Sequence, residues 1–254
     1  MNEERARVML ITGAAGGIGR ATVKYFAEQG WKVIGVDRKE FGPGFPENGL
    51  FIKADISNPA EMETIYEHAR DFTPVLDAVV NNAALQIAKP LLELTIEDWD
   101  LTMASNLRSA FIGFKLAYPL MKAAGGGAVV NVSSVHAVAT SKNISAYAAS
   151  KGGLLALTRS MAIEFASDNI RVNAVLPGAV DTPMLRDGMN RGQFSGSLNE
   201  RLENLASKTV NGRIGQPEEL AHVIYFLADS KQSSFITGQG LLADGGATAK
   251  LSTE

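Results

Sequence analysis

The amino-acid sequence predicts an α/β fold, a doubly wound parallel sheet of about seven strands with helices on both faces. Three observations carry that expectation. Short apolar runs rich in β-branched residues recur along the chain, stretches with helical spacing lie between most of them, and the runs are apolar at nearly every position. Strand alternating with helix gives parallel strands joined by right-handed crossovers, and a strand apolar on both sides suits a sheet covered on both faces.

In chain order the strands are expected at VMLIT (8–12), KVIGV (32–36), LFIKA (50–54), LDAVV (76–80), AVVNVS (128–133), IRVNAV (170–175) and GLLA (240–243). Helical spacing covers roughly 18–29, 59–71, 97–124, 148–167 and 217–229. There is no internal repeat, and the glycine runs GPGFPENG (42–49) and AAGGGA (123–128) are short enough to be turns, so residues 1–254 read as one domain. Residues 183–216, with two short helical patches, are rich in Met, Arg, Asn, Gly and Ser. A connection of that length is more often a lid or binding segment than a plain loop, and a substrate lid is the expectation there.

The chain has 254 residues, a formal net charge of −3 and 46% hydrophobic residues, a globular composition with no general attraction for nucleic acid or anionic membranes. With no cysteine, disulfides and thiolate chemistry are excluded. His68, His136 and His222 are too scattered to suggest a metal site. The amino-terminal MNEERARVMLITG has neither the length nor the flanks of a signal or a spanning segment, so a soluble, cytoplasmic protein with a small-molecule partner is expected.

After the first strand, TGAAGGIGR brings Gly13, Gly17 and Gly19 together at a turn, and a helix starting near Ile18 aims its free N–H groups and positive dipole end there. A pyrophosphate suits that place, although tight helix packing would need the same glycines. Asp37 ends the second strand 18 residues beyond Gly19, where a carboxylate accepts hydrogen bonds from the ribose hydroxyls of NAD and repels the 2′-phosphate of NADP. Arg38 follows, and softens that exclusion or merely lies over the adenine.

In SAYAASKGG (145–153), Tyr147 and Lys151 are four residues apart and share a helix face if the first turn includes them. A nearby cation lowers the pKa of a phenol. The strand AVVNVSS brings Ser133 and Ser134 to the carboxyl edge of the sheet, where α/β proteins bind ligands.

These segments, with ADI (54–56), NNAA (81–84), Asn106 in ASNLRSAF, RVNAVLPGAVDTPM (171–184) and ADGG (243–246), resemble the short-chain dehydrogenase/reductases from about Val8 to Gly246. The resemblance implies a Rossmann-like fold and a nicotinamide dinucleotide, with NAD favoured by Asp37. It implies Tyr147 as general acid/base, Ser134 (13 residues before it) as hydrogen-bond partner of the substrate oxygen, Lys151 on the nicotinamide ribose, and Asn106 as anchor of a water linking Lys151 to solvent. Cofactor contacts carry over to Gly13, Gly17, Ile18, Gly19, Asp37, Asp55, Ile56, Asn82, Val180 and Thr182, besides Tyr147 and Lys151. A turn or helix-capping carboxylate is an equally good local reading of Asp55. Ala84 departs from the family's usual glycine, as does the residue after the serines in SSVHA; neither removes a chemical group.

The expected substrate is an alcohol or ketone, with a small polyol, sugar or hydroxy acid suggested by His136, Gln86 and Arg186, and an apolar lid underside by Met184, Leu185 and Met189. A 3-oxoacyl-(acyl-carrier-protein) reductase-like ketoreductase is the second reading, and a non-catalytic dinucleotide-binding regulator the third. The long helices are apolar over much of their circumference, so subunit pairing is expected, and the family commonly forms tetramers.

Overall fold

The computed structural model describes residues 5–191 and 196–250. Seven strands, β1 (Val8–Thr12), β2 (Lys32–Asp37), β3 (Leu50–Lys53), β4 (Ala78–Asn81), β5 (Gly127–Val132), β6 (Ile170–Pro177) and β7 (Gly240–Ala243), pair in parallel in the order β3-β2-β1-β4-β5-β6-β7. The order reverses between β1 and β4, which opens a crevice at their carboxyl ends.

Alternation along the strands sends side chains into two cores. Leu10, Ile34, Val79, Val129 and Val172 meet α2 (Pro59–Phe72), α4 (Ser109–Ala123) and α5 (Ser145–Glu164) on one face. Met9, Ile11, Val80, Val130 and Val175 meet α1 (Gly17–Glu28) and α8 (Pro217–Ala228) on the other. Several helices start on sequence-encoded caps: Asn58 accepts from the Ala60 amide before α2, and a Thr95–Asp98 capping box opens α3 (Ile96–Met103). Gly16, before α1, supplies no side-chain cap.

Where the sequence predicts one helix over 97–124, the chain forms α3, a wider π turn at Ala104–Arg108, and α4. Such turns lodge an extra residue in the helix and recur at functional sites; Asn106 lies in this one. The helix expected from 148 begins at Ser145, so Tyr147 sits in its first turn. Gly153 is a packing glycine, since a Cβ there would come within 2.9 Å of Leu107 Cδ2. The strand expected at 76–80 is shifted to 78–81, because the Leu76 amide turns to the Leu120 carbonyl. The insertion carries α6 (Pro183–Arg191) and α7 (Leu198–Ala206); residues 192–195 of the expected lid lie outside the described residues, as do 1–4 and 251–254 of the expected domain. The short α9 (Ser230–Ser233) follows α8. No helix among the described residues is long and apolar enough to cross a membrane.

Candidate active site

The turn between β1 and α1 is shaped by close backbone approach. Gly13 has φ +69°, a conformation that favours glycine, and a Cβ on Gly19 would sit 2.0 Å from the Gly13 carbonyl oxygen. Packing therefore accounts for those two glycines. It leaves the amino end of α1 uncapped, with the first-turn N–H groups of Gly17, Ile18 and Gly19 lacking helical acceptors. This end fits a pyrophosphate. Asn82, after β4, braces the turn by donating through Nδ2 to the Thr12 and Gly13 carbonyls, each at 3.0 Å.

Asp37 lies beside the same turn. Its Oδ2 accepts from the Ala15 amide at 2.9 Å and its Oδ1 from the Lys39 amide at 2.9 Å, which fixes a carboxylate at the end of β2. Arg38 is exposed. Asp55 accepts from the Ser57 amide at 2.9 Å, the turn role the sequence left open, and Ile56 packs against the first core. Val180 is buried and bridges to Gly215, while the Thr182 methyl occupies the space beside Gly17, where a Cβ would approach it to 2.7 Å. The segment entering the lid therefore abuts the glycine turn.

Ser134, Tyr147, Lys151 and Asn106 converge past the end of β5, all buried. Ser134 Oγ accepts from the His136 amide at 3.2 Å, leaving the hydroxyl proton to point elsewhere, and its hydroxyl acts to lower the pKa of the Tyr147 phenol. Lys151 Nζ donates to the Val132 carbonyl at 2.7 Å and lies 5.7 Å from the centre of the Tyr147 ring. Burial brings the Lys151 ammonium down to about 7. Burial also raises the Tyr147 phenol above its ordinary value, against a smaller lowering by Ser134. The lowering by Lys151 expected from the sequence is not among the influences on the phenol here, since the lysine is turned to the strand carbonyl.

Asn106 does not touch Lys151. Its Oδ1 accepts from the Leu85 amide at 2.7 Å, and its Nδ2 donates to the Leu85 carbonyl at 2.9 Å and to Ser150 Oγ at 3.0 Å. Leu85 and Ser150 belong to the site's frame and were not singled out in the sequence. Leu85 contributes only main-chain atoms, which leave no side-chain signature, whereas Ser150 was legible inside YAASK.

His136 packs edge-on to Tyr147 with ring centres 5.9 Å apart; its Nδ1 is buried without a partner, and burial lowers its pKa. Gln86 faces the lid, its Oε1 lying 4.0 Å from where a Gly188 Cβ would stand. Met189 is buried, while Met184 is exposed. Arg186 is engaged by Asp181 in a two-point pair at 2.7 and 2.9 Å. No cluster of metal-ligating side chains occurs among the described residues.

The chain is similar to known proteins along nearly its whole length. Residues 13–248 match a family model described as enoyl-(acyl carrier protein) reductase. The chain is 38% identical over 249 residues to a 3-oxoacyl-(acyl-carrier-protein) reductase of Thermotoga maritima, covering 94% of this chain and 97% of that one. It is 36% identical over 251 residues to cis-4-hydroxycyclohexanecarboxylate dehydrogenase of Sinomonas cyclohexanicum, covering 96% and 97%. The ligand-free aldohexose dehydrogenase of Thermoplasma acidophilum superposes with a TM-score of 0.91 at 31% identity, over 98% of this chain and 96% of that one. By sequence, by its seven-stranded Rossmann-like sheet and by the family match, the chain belongs to the short-chain dehydrogenase/reductase family of oxidoreductases, which use NAD or NADP.

Proposed function

We propose that this protein is an NAD-preferring dehydrogenase that interconverts a secondary alcohol and a ketone, with a small polyol, sugar or hydroxy acid as substrate. The observation that carries the reading is the burial of Ser134, Tyr147 and Lys151 together past the end of β5, beside the crevice that the uncapped end of α1 enters. When bound, the nicotinamide would supply hydride acceptance from the carbinol carbon, and its positive charge would favour the ionised phenol.

The chain's own groups do the rest. Ser134 donates to the substrate oxygen and orients it, Tyr147 takes the hydroxyl proton, and Lys151 holds the ribose hydroxyls and adds its charge. With a pKa of about 7, Lys151 is poised to pass protons near neutrality. Asn106, fixed on Leu85 and Ser150, would hold the water that carries a proton onward. The amides of Gly17, Ile18 and Gly19 would receive the pyrophosphate, and Asp37 the adenosine ribose, with Gly13, Asn82, Asp55, Ile56, Val180 and Thr182 completing the cofactor wall.

The relatives support the substrate class: one is a dehydrogenase of a ring alcohol, cis-4-hydroxycyclohexanecarboxylate, and another a dehydrogenase of aldohexoses. His136, Gln86 and Met184 are the residues we assign to substrate. The Thermotoga maritima relative favours the acyl-carrier ketoreductase as second reading. A screen of cyclohexanols, aldohexoses and hydroxy acids with NAD and NADP, and of 3-oxoacyl thioesters with NADH and NADPH, read by reduced-nicotinamide absorbance, decides between them. Turnover of an alcohol with kcat/KM higher for NAD is expected. Turnover restricted to 3-oxoacyl thioesters with NADPH would replace this reading by the second.

We also propose a homo-oligomer, a tetramer, paired through α4 and α5. An open groove of about 580 Å³ on their outer side is lined by Met103, Leu107, Phe111, Gly153, Ala156 and Leu157, with Phe111 51% exposed. That surface suits a second copy better than water.

A further inference from the structure

The catalytic helix is tied to the sheet by a line of buried polar contacts that the reaction itself does not use. Asn131 and Ser133 are two residues apart past and along β5, so both point to the side on which α5 packs. Asn131 Nδ2 donates to Thr158 Oγ1 at 2.9 Å, and the Thr158 hydroxyl donates to the Leu154 carbonyl at 2.8 Å. Ser133 Oγ donates to the main-chain carbonyl of Lys151 at 2.9 Å. Asn131 Oδ1 accepts from Asn81 Nδ2 at 2.8 Å, which extends the line to β4. Asn131 and Thr158 are fully buried and Ser133 is 3% exposed.

Lys151 and Thr158 are seven residues apart, two helical turns, and therefore lie on one face of α5. Apolar packing between α5 and β5 is non-directional and has no preferred position along the helix axis. A side-chain hydrogen bond does have one: sliding α5 by one turn, about 5.4 Å, would carry Thr158 Oγ1 away from Asn131 Nδ2 and leave that buried amide without its partner, while the carbonyl that Ser133 meets ties the helix main chain to the end of β5. Ser134 directly follows Ser133, and Tyr147 lies one turn before Lys151, so the contact from Ser133 to Lys151 fixes the two reacting side chains against each other.

We propose that the Asn131–Thr158 pair, which sets the axial register of α5 on β5, and Ser133, which ties the first turns of α5 to the end of β5, are positioning residues that hold the Tyr147 phenol opposite Ser134. The proposal rests on the catalytic reading of Tyr147 above. A register lock predicts an effect on the phenol that a purely stabilising contact does not.

The test is a spectroscopic titration of phenolate absorbance in the full chain saturated with NAD, which needs no substrate. Subtracting Tyr147→Phe isolates the Tyr147 step from the other tyrosines. Ser133→Ala is expected to move that step upward by about one pH unit or more, as the phenol leaves Ser134, Lys151 and the cofactor charge. The dissociation constant for NAD should stay within about twofold, because the amides of α1 are untouched, and Ser133→Thr should restore the step. Thr158→Val should shift it in the same direction by less, and carries the test if Ser133→Ala does not fold. An unshifted step in a folded Ser133→Ala or Thr158→Val protein with lowered thermal stability would overturn the register role while leaving Tyr147 catalytic. If Tyr147→Phe removes no titrating step, the catalytic reading of Tyr147 fails instead, and the register proposal with it.

Discussion

On the β5–α5 side of the cleft, Asn106, Ser134, Tyr147 and Lys151 have between 1% and 8% of their surface exposed, and each is hydrogen-bonded, Tyr147 through its main-chain carbonyl. On the lid side, α7 buries no residue, and of the α6 side chains described only Met189 is buried. The wall is held by contacts to the strands β4 and β5 and to the loop at Leu85. The lid is held by polar pairs at its surface: Arg186 with Asp181, and a Ser197–Glu200 capping box. On the proposed reading, chemistry that needs atoms fixed to a fraction of an ångström would sit on the first, and contacts that open for substrate on the second.

The largest effect that this contrast demands is on the wall. Tyr147→Phe should lower kcat by about 10² to 10⁴, the range of one general acid/base, with the NAD dissociation constant nearly unchanged. Steady-state kinetics with NADH absorbance checks it, and unchanged turnover would remove the wall's chemical role. A second, smaller effect concerns stability. Lys151 titrates at about 7 in the folded protein against an ordinary 10.5. Below pH 7 both folded and unfolded chains carry the proton, and the fold bears the full cost of a buried charge. Between about 7 and 10.5 the unfolded chain binds more protons, so stability from this group rises with pH and levels off above. Lys151→Met lacks that rise. Its thermal midpoint relative to the native protein should therefore fall by on the order of 10 °C as pH climbs through the window, and parallel curves would show that burial does not perturb the lysine.

The sheet was legible because strands buried on both faces are written as apolar runs, as in VMLIT and IRVNAV. The break in the helix at Asn106 was not, because hydrophobic spacing continues through it while the π turn depends on a tertiary tie to Leu85. Tyr147, Lys151 and Ser134 were legible as a spacing. Their immediate electrostatics were not: the sequence places an ammonium near a phenol, but burial dominates both, raising Tyr147 and lowering Lys151. The glycine turn was legible as a turn, though Gly13 and Gly19 turn out to serve backbone approach as much as any ligand. Ser133 stood beside Ser134 in the sequence, and only the hydrogen bond to the Lys151 carbonyl separates their roles.

The smallest expected effect is on the lid, at Arg186→Ala. The Arg186 side chain is 46% exposed and its pair with Asp181 spans five residues at the root of α6, so solvent screens it and its contribution to stability is small. The thermal midpoint should move by no more than about 2 °C, and kcat should stay at the native value, because no wall residue touches Arg186. KM should rise a few-fold with every substrate alike, since the pair steadies the segment from Val180 to Thr182 that leads into the lid beside Gly17. A KM rise of about a hundredfold confined to hydroxy acids has a different meaning. The arginine would then be leaving Asp181 to meet a carboxylate, and the lid would carry a specificity contact of its own rather than only closing over the wall.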